Sequence, residues 1–308
     1  MLNEPPPQSP ARIEPVRVNR VETDGRFTRL SFHAPEQAKR ALAGQFFQVT
    51  CHPADEIDLF QTVSLSPLLN RPFSINRWIE DGFSILFEMV GPGTRRLGAS
   101  KQGDRITVLG PLGQGLAEIP PHVQHLVLVA GGIGVAAFTA FAQLAQQRGA
   151  PCSLYYGVNR GTDLALRNPR RKGYQSRLLD EFDSLGCRCA LSSMLDGSFF
   201  PGTVVDLLER DRQENCVPFG DPVEGILMIG CGPWAMMNAL AKWAMPYQIP
   251  CFLLIEEMMG CGLGICRSCI VPGYDIREAG TKTPRNIAVC REGPLIAAER
   301  IDWERKWE

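Results

Sequence analysis

Along the first third of the chain, apolar and polar positions alternate over short runs: FTRLSF, GQFFQVT, RPFSINRW, FSILFEMV and DRITVLG. Alternation of this period, broken by turn residues, predicts strands with one buried face, and Asp81-Gly82 supplies a hairpin turn. An antiparallel barrel or sandwich is therefore expected between Arg17 and about Leu116. After Pro120-Pro121 the period changes, and apolar β-rich runs alternate with helical stretches. HLVLVA precedes a helix through Ala136 to Gln147, CSLYYGV a helix near Gln175 to Leu185, and CRCALSS a helix from Thr203 to about Arg210. GILMIG precedes a helix from Trp234 to Ala244, and IPCFLLIE closes the series. Five strands joined by helices predict a parallel, doubly wound sheet.

Two segments fit neither pattern. Residues 1–12 are a Pro-rich tail, and 257–308 are rich in Gly and Cys with no evident core of their own. The expected division is thus 1–12, a β domain over 13–118, an α/β domain over 119–256, and a terminal segment over 257–308. The uncharged stretch Leu126 to Ala142 is shorter than the roughly 20 residues a bilayer needs, and Gly131, Gly132 and Gly134 interrupt it. A buried strand, turn and helix are expected there, and no membrane span.

Charge removes whole classes of partner. Thirty-two basic residues balance thirty-three acidic ones for a net charge of -1, so no footprint for nucleic acid or an anionic membrane exists. The opening MLNEPPPQSPARIEP lacks the apolar core of a secretory signal, and a cytoplasmic location is expected. Eleven cysteines are an odd count, which in a chain of this size does not resemble a secreted disulfide scaffold. Cys51, Cys152, Cys187, Cys189, Cys216, Cys231 and Cys251 are scattered, mostly within apolar runs where a thiol behaves as a small hydrophobe.

The other four crowd the terminal segment as Cys261-x4-Cys266-x2-Cys269, with Cys290 twenty residues further on. C-x4-C-x2-C with a distant fourth Cys is the plant-type arrangement for a 2Fe-2S cluster. Gly260, Gly262 and Gly264 lie around the first ligands, where missing side chains let backbone N–H groups approach sulfur. Zinc is the alternative, but structural zinc favours two short pairs. Here one stretch supplies three cysteines and the other one.

Phosphate and ring contacts have their own signals. Arg71-Pro72-Phe73-Ser74 combines a guanidinium, an aromatic and a hydroxyl on one strand, suited to a flavin and its phosphates. Taken alone it equally describes a strand with a surface Arg. Gly91-Pro92-Gly93-Thr94 can cradle a phosphate or form an ordinary turn. Two separate phosphate-contacting segments favour FAD over FMN. HLVLVA runs directly into Gly131-Gly132-Ile133-Gly134 and a helix, the context that seats a nucleotide pyrophosphate. The acid expected about 20 residues later for a ribose is absent, and Arg160 stands near that place, facing either a 2′-phosphate or solvent. Gly230-Cys231-Gly232-Pro233 ends another strand at the same sheet edge.

In order, these motifs resemble the ferredoxin reductase superfamily of flavoproteins, and within it the electron-transfer subunit of two-subunit, NAD-linked dihydroorotate dehydrogenases. The carrying segments are Pro67 to Ile75, Gly91 to Thr94, Leu109 to Gly115, Gly131 to Gly134, Asp196 to Ser198, Cys231 to Pro233, Cys261 to Cys266 and Val289 to Pro294. The resemblance implies a β-barrel FAD domain, a Rossmann-like NAD domain and a small 2Fe-2S segment. It implies FAD contacts from Arg71, Phe73, Ser74, Gly91, Gly93 and Thr94, and cluster ligation by Cys261, Cys266, Cys269 and Cys290. For NAD it implies the Gly131, Gly132 and Gly134 loop, Asp196 at ribose hydroxyls and Cys231 near the nicotinamide. It further implies an FMN-containing catalytic partner in a heterotetramer, with electrons relayed from dihydroorotate oxidation to NAD+ in pyrimidine biosynthesis. No acid–base set for that oxidation is evident in this chain. The chain departs from the family in its tail, in the longer segment CHPADEIDLFQTVSLS, and in Val135-Ala136-Ala137 where a proline is common. The competing readings are a reductase subunit of another complex (glutamate synthase-like, hydrogenase or bifurcating) and a cluster-bearing sensor without enzymatic activity.

Overall fold

The computed structural model describes residues 11–53, 68–167, 176–216, 218–219, 225–276 and 281–305. The Pro-rich tail up to residue 10 and most of the CHPADEIDLFQTVSLS segment lie outside them, as does Pro67.

Seven antiparallel strands form the first domain: β1 (Arg12–Asp24), β2 (Phe27–His33), β3 (Phe46–Pro53), β4 (Arg71–Ser74), β5 (Arg77–Ile79), β6 (Gly82–Glu88) and β7 (Arg105–Leu112). Their order is β4-β3-β7-β1-β2-β6-β5, with helices α1 (Pro35–Arg40) and α2 (Pro92–Gly98) between strands. Phe32, Phe47, Phe83 and Ile85 fill the interior, Phe47 stacked on Phe83 at 4.3 Å. Central strand β1 is not among the runs named from the pattern, because Arg12, Glu14, Arg17, Arg20 and Glu22 leave too few apolar positions to mark it. RPFSINRW is two strands rather than one. Gly82 serves a purpose other than the turn: a Cβ there would lie 2.0 Å from the Phe32 carbonyl oxygen. It is glycine so that β6 can approach β2, where Gly82 pairs with His33.

In the second domain β8 (His125–Gly131), β9 (Cys152–Val158), β10 (Cys187–Ser193), β12 (Ile226–Cys231) and β13 (Cys251–Leu254) are the five expected parallel strands. The sheet is nonetheless seven-stranded and mixed, ordered β11-β10-β9-β8-β12-β13-β16. Two-residue β11 (Phe200–Pro201) joins one edge. At the other edge β16 (Leu295–Ala297), from the cysteine-rich segment, pairs antiparallel with β13. That segment therefore borrows its stability: hairpin β14 (Ile270–Ile276) and β15 (Lys282–Ala288) contributes Val271 and Ile287 to a core shared with Met237, Leu240 and Leu253. The helices are α3 (Phe138–Arg148), α4 (Arg177–Ser184), α5 (Val204–Gln213) and α6 (Trp234–Ala244), with α7 (Val289–Glu292) beside the last cysteine. Ser176 and Thr203 cap α4 and α5 by accepting backbone N–H bonds. Among the described residues no helix is long and apolar enough to cross a membrane.

A buried ion network joins the two domains. Arg29 of β2, 1% exposed, donates both terminal nitrogens to Glu181 of α4 at 2.5 and 2.9 Å. Glu22 of β1 in turn meets Arg29 at 3.6 Å and Arg177 of α4 at 3.3 Å. Removing one partner of such a buried pair costs about 3–5 kcal/mol, so these groups fix the barrel against the α/β domain.

Candidate redox and nucleotide site

The four cysteines converge, but in two pairs. The Cys266 N–H points at Cys261 Sγ (3.4 Å) and the Cys290 N–H at Cys269 Sγ (3.4 Å). Among the described residues no three of these sulfurs lie within 4.8 Å of one another. A single tetrahedral zinc, with bonds of about 2.3 Å, needs all four closer than that; two sulfide-bridged irons need two thiolates each. The donor set fits a 2Fe-2S cluster and not one zinc. The one triad of ligand types among the described residues that does gather within that distance, Asp211, Glu214 and Cys216, has its buried member already bonded to Tyr155 and Arg210.

Local backbone explains the fit. Gly262 and Gly264 take φ of +71° and +80°, the left-handed region that β-carbons disfavour. The resulting loop turns the Leu263 N–H onto Cys261 Sγ at 3.3 Å. Cys266 is exposed, and the Ser268 hydroxyl at 3.2 Å, with its backbone amide, holds the thiol down to about 6, favouring the ligating thiolate. Cys269 and Cys290 are buried, and burial pushes the Cys290 thiol up to about 12.

The ligand loop packs on the barrel. A Cβ on Gly262 would meet Gln48 Cγ and Leu112 Cδ1, each at 2.9 Å, and Gln48 lies opposite Pro72 in the β3–β4 pairing. Loop residues Gly113 and Gln114 likewise abut Gly293 and Arg291, so LGPLGQG and VCREGP interlock. All four residues of β4 are only half-buried. Phe73 rests on Phe87 at 5.0 Å, Ser74 lies opposite Phe46, and Arg71 Nη1 donates to the Leu69 carbonyl at 2.7 Å. Gly91 has open space where a side chain would stand, while Thr94 Oγ1 accepts the Gly91 N–H at 3.0 Å. The Thr94 hydroxyl thus shapes the turn that leads into α2, whose first residue, Pro92, carries no N–H.

At the carboxyl edge of the parallel sheet two glycine loops interlock. The chain runs from β8 into a 3-10 turn over Gly132–Ala137 before α3 begins, later than the expected Ala136. A Cβ on Gly134 would fall 2.2 Å from the Cys231 carbonyl oxygen, and one on Gly131 2.8 Å from Pro233 Cδ. Both motifs are glycine-rich because each is the other's neighbour. They border a cavity of about 370 Å³ whose lining includes Gly131, Gly132, Asn159, Thr203, Pro233 and Met236. Arg160 is exposed and outside that lining. Asp196 lies beside it with both oxygens accepting backbone N–H groups, from Ser198 (3.0 Å) and Gly161 (3.3 Å). It ties the loops after β9 and β10 together.

Cys231 is buried, and its thiol, raised well above the usual range by desolvation and then by Glu256, lies 3.9 Å from Glu256 Oε1. Glu256 was not found by sequence reasoning. It follows β13 with no motif of its own, and desolvation raises its carboxyl as well.

Residues 256–302 match the family model described as the iron-sulfur cluster binding domain of dihydroorotate dehydrogenase B. The electron transfer subunit of dihydroorotate dehydrogenase B (NAD(+)) from Desulforamulus reducens is 30% identical over 279 residues, covering 89% of this chain and 92% of that protein. The same subunit from Bacillus velezensis is 30% identical over 271 residues, covering 85% and 92%. Among solved structures, an NADH-dependent reduced ferredoxin-NADP oxidoreductase studied for flavin-based electron bifurcation superposes with a TM-score of 0.71 at 22% identity, over 94% of this chain and 90% of that one. That likeness establishes the ferredoxin-reductase-like fold. The motif order, the paired cysteines and these matches agree: the chain belongs to the family of the electron transfer subunit of NAD(+)-dependent dihydroorotate dehydrogenase B.

Proposed function

We propose that this chain is the cytoplasmic electron-transfer subunit of a heterotetrameric dihydroorotate dehydrogenase, taking electrons from an FMN-containing catalytic partner and delivering them to NAD+. A 2Fe-2S cluster carries single electrons, nicotinamide accepts a hydride, and FAD exchanges both kinds. Cys261, Cys266, Cys269 and Cys290 would hold the cluster. Arg71, Phe73, Ser74 and the Gly91–Thr94 turn would hold FAD, and the loops around Gly131–Gly134 and Cys231 the nucleotide.

The observation that carries this reading is the seating of the ligand loop. Gly262 packs on Gln48, one strand from the Arg71–Ser74 segment, so a cluster held by this loop and a flavin held by that segment would be neighbours. On its outer side the loop presents exposed Met258, Leu263 and Ile265 around the exposed Cys266, an apolar rim suited to a partner protein. Arg160 stands outside the nucleotide cavity, which supports NADH over NADPH. The full-length likeness to the bifurcation-linked oxidoreductase favours, as second reading, a reductase subunit with a different partner.

Mixing the chain with a dihydroorotate-oxidising partner is expected to give dihydroorotate-dependent NAD+ reduction that neither shows alone, with NAD+ preferred to NADP+. Unaided dihydroorotate oxidation by the isolated chain would overturn the reading; activity only with another partner would select the second. For the flavin, Arg71→Ala removes charge-assisted bonds worth about 1.5–3 kcal/mol each. FAD affinity should fall at least tenfold by equilibrium titration, and an unchanged affinity moves the site elsewhere.

A further inference from the structure

The nucleotide cavity has a chemical gap that its own domain does not fill. A dinucleotide brings two phosphate charges, yet the glycine loops, Asn159, Thr203, Pro233 and Met236 offer none of opposite sign. Among the described lining residues there is one cation, Arg26, and it comes from the flavin barrel. It sits in the tight turn between β1 and β2, directly after Gly25, whose φ is +56°.

Arg26 is held from three sides. Its Nε meets Glu88 Oε1 at 3.0 Å, its Nη2 donates to Asp163 Oδ1 at 3.1 Å, and Phe27 lies beneath the guanidinium at 5.1 Å. Asp163 itself is fixed, because its other oxygen accepts the Arg160 N–H at 3.0 Å. Those ion pairs use Nε and Nη2. Among the described residues the Nη1 donors have no partner, and the side chain is 48% exposed. Beside it, Gly132 has nothing within 4 Å of where a Cβ would stand, so the loop is open to the same space.

We propose that Arg26 is the phosphate-binding cation of the nucleotide site, supplied across the domain boundary by the barrel and aimed by Glu88 and Asp163. The inference rests on the reading that the Gly131–Gly134 edge takes a nicotinamide dinucleotide. A guanidinium presents a fork that matches phosphate oxygens, and such bonds are among the strong ones. Because the pocket is complete only when both domains are in place, the Arg29–Glu181 network that fixes their orientation also sets nucleotide affinity.

The test uses the full chain with FAD and cluster bound, and ADP-ribose as the probe. Arg26→Met should raise the ADP-ribose Kd at least tenfold, and Arg26→Lys should recover part of the loss. Adenosine, with the same base and ribose but no phosphate, should compete within twofold of its wild-type strength. The triple variant Arg26→Met, Glu88→Gln, Asp163→Asn removes both ion pairs without stranding a carboxylate, and should repeat the loss with FAD content unchanged. An unchanged ADP-ribose Kd in both variants overturns the proposal, as does an equal loss for adenosine, which would mark Arg26 as an interdomain strut alone. If the wild-type chain binds no ADP-ribose, the nucleotide reading itself fails and the proposal with it.

Discussion

Replacing Cys266 with Ala is expected to remove iron and acid-labile sulfide from the protein, from two of each to near none, while FAD stays bound. Cys266 shares its end of the donor set with Cys261, whose sulfur already receives the Cys266 and Leu263 amides. Without it one iron would keep a single protein thiolate at the exposed end of the loop, open to solvent. The proposed flavin segments are on β4 and α2, neither of which contributes to the buried cluster that holds Cys269 and Cys290, so the FAD spectrum should persist. NADH-dependent flavin reduction should persist too, whereas coupling of dihydroorotate to NAD+ should disappear. Metal and sulfide analysis with the coupled assay decides the matter. Stoichiometric zinc without sulfide in the native protein, or a Cys266→Ala variant that still couples the two substrates, sinks the relay.

Gly134→Ala should be the most damaging single change at the nucleotide edge. The added methyl would sit 2.2 Å from the Cys231 carbonyl oxygen and 2.9 Å from the Gly232 nitrogen. Both obstacles are backbone, so no side chain can swing away and the two loops must part. Overpacking of this kind costs roughly 1–3 kcal/mol or more. At the upper end that is about a hundredfold in an equilibrium constant. kcat/KM for NADH with an artificial acceptor should fall by about that factor, with a lower melting temperature and full iron and FAD content. Gly132→Ala is the comparison: space is open there, and only its φ of +54° opposes a side chain, a penalty of about 1–2 kcal/mol. Wild-type kcat/KM and melting temperature in Gly134→Ala would show that the loops do not depend on this contact.

What could be read along the chain was whatever is encoded within a few residues. The C-x4-C-x2-C spacing marks the proposed ligands because one loop must wrap one cluster. Strands β8 and β12 declare themselves because a strand buried on both faces must be apolar throughout, as Leu126 to Ala130 are. Strand β1 is silent because Arg12, Glu14, Arg17, Arg20 and Glu22 break up its apolar positions, and of these Glu22 serves the Arg29 network. Gly82 was misleading for a related reason, since a turn and a close strand approach both call for glycine.

The remaining features belong to tertiary structure alone. Arg26 and Asp163 are 137 positions apart, and Arg29 and Glu181 are 152 apart; no local pattern links them, and each is an ordinary charged residue until the domains meet. Glu256 becomes part of the site only because β13 lies beside β12 and ends next to Cys231. The terminal segment looked coreless in isolation because its core is completed by α6 and β13, and its last strand by their sheet. The sequence by itself determined the chemistry, since cluster ligands and phosphate loops are local and specific in residue type. Only the tertiary structure decided which groups share a wall of the same cavity, because burial and charge pairing depend on neighbours that the chain brings from far away.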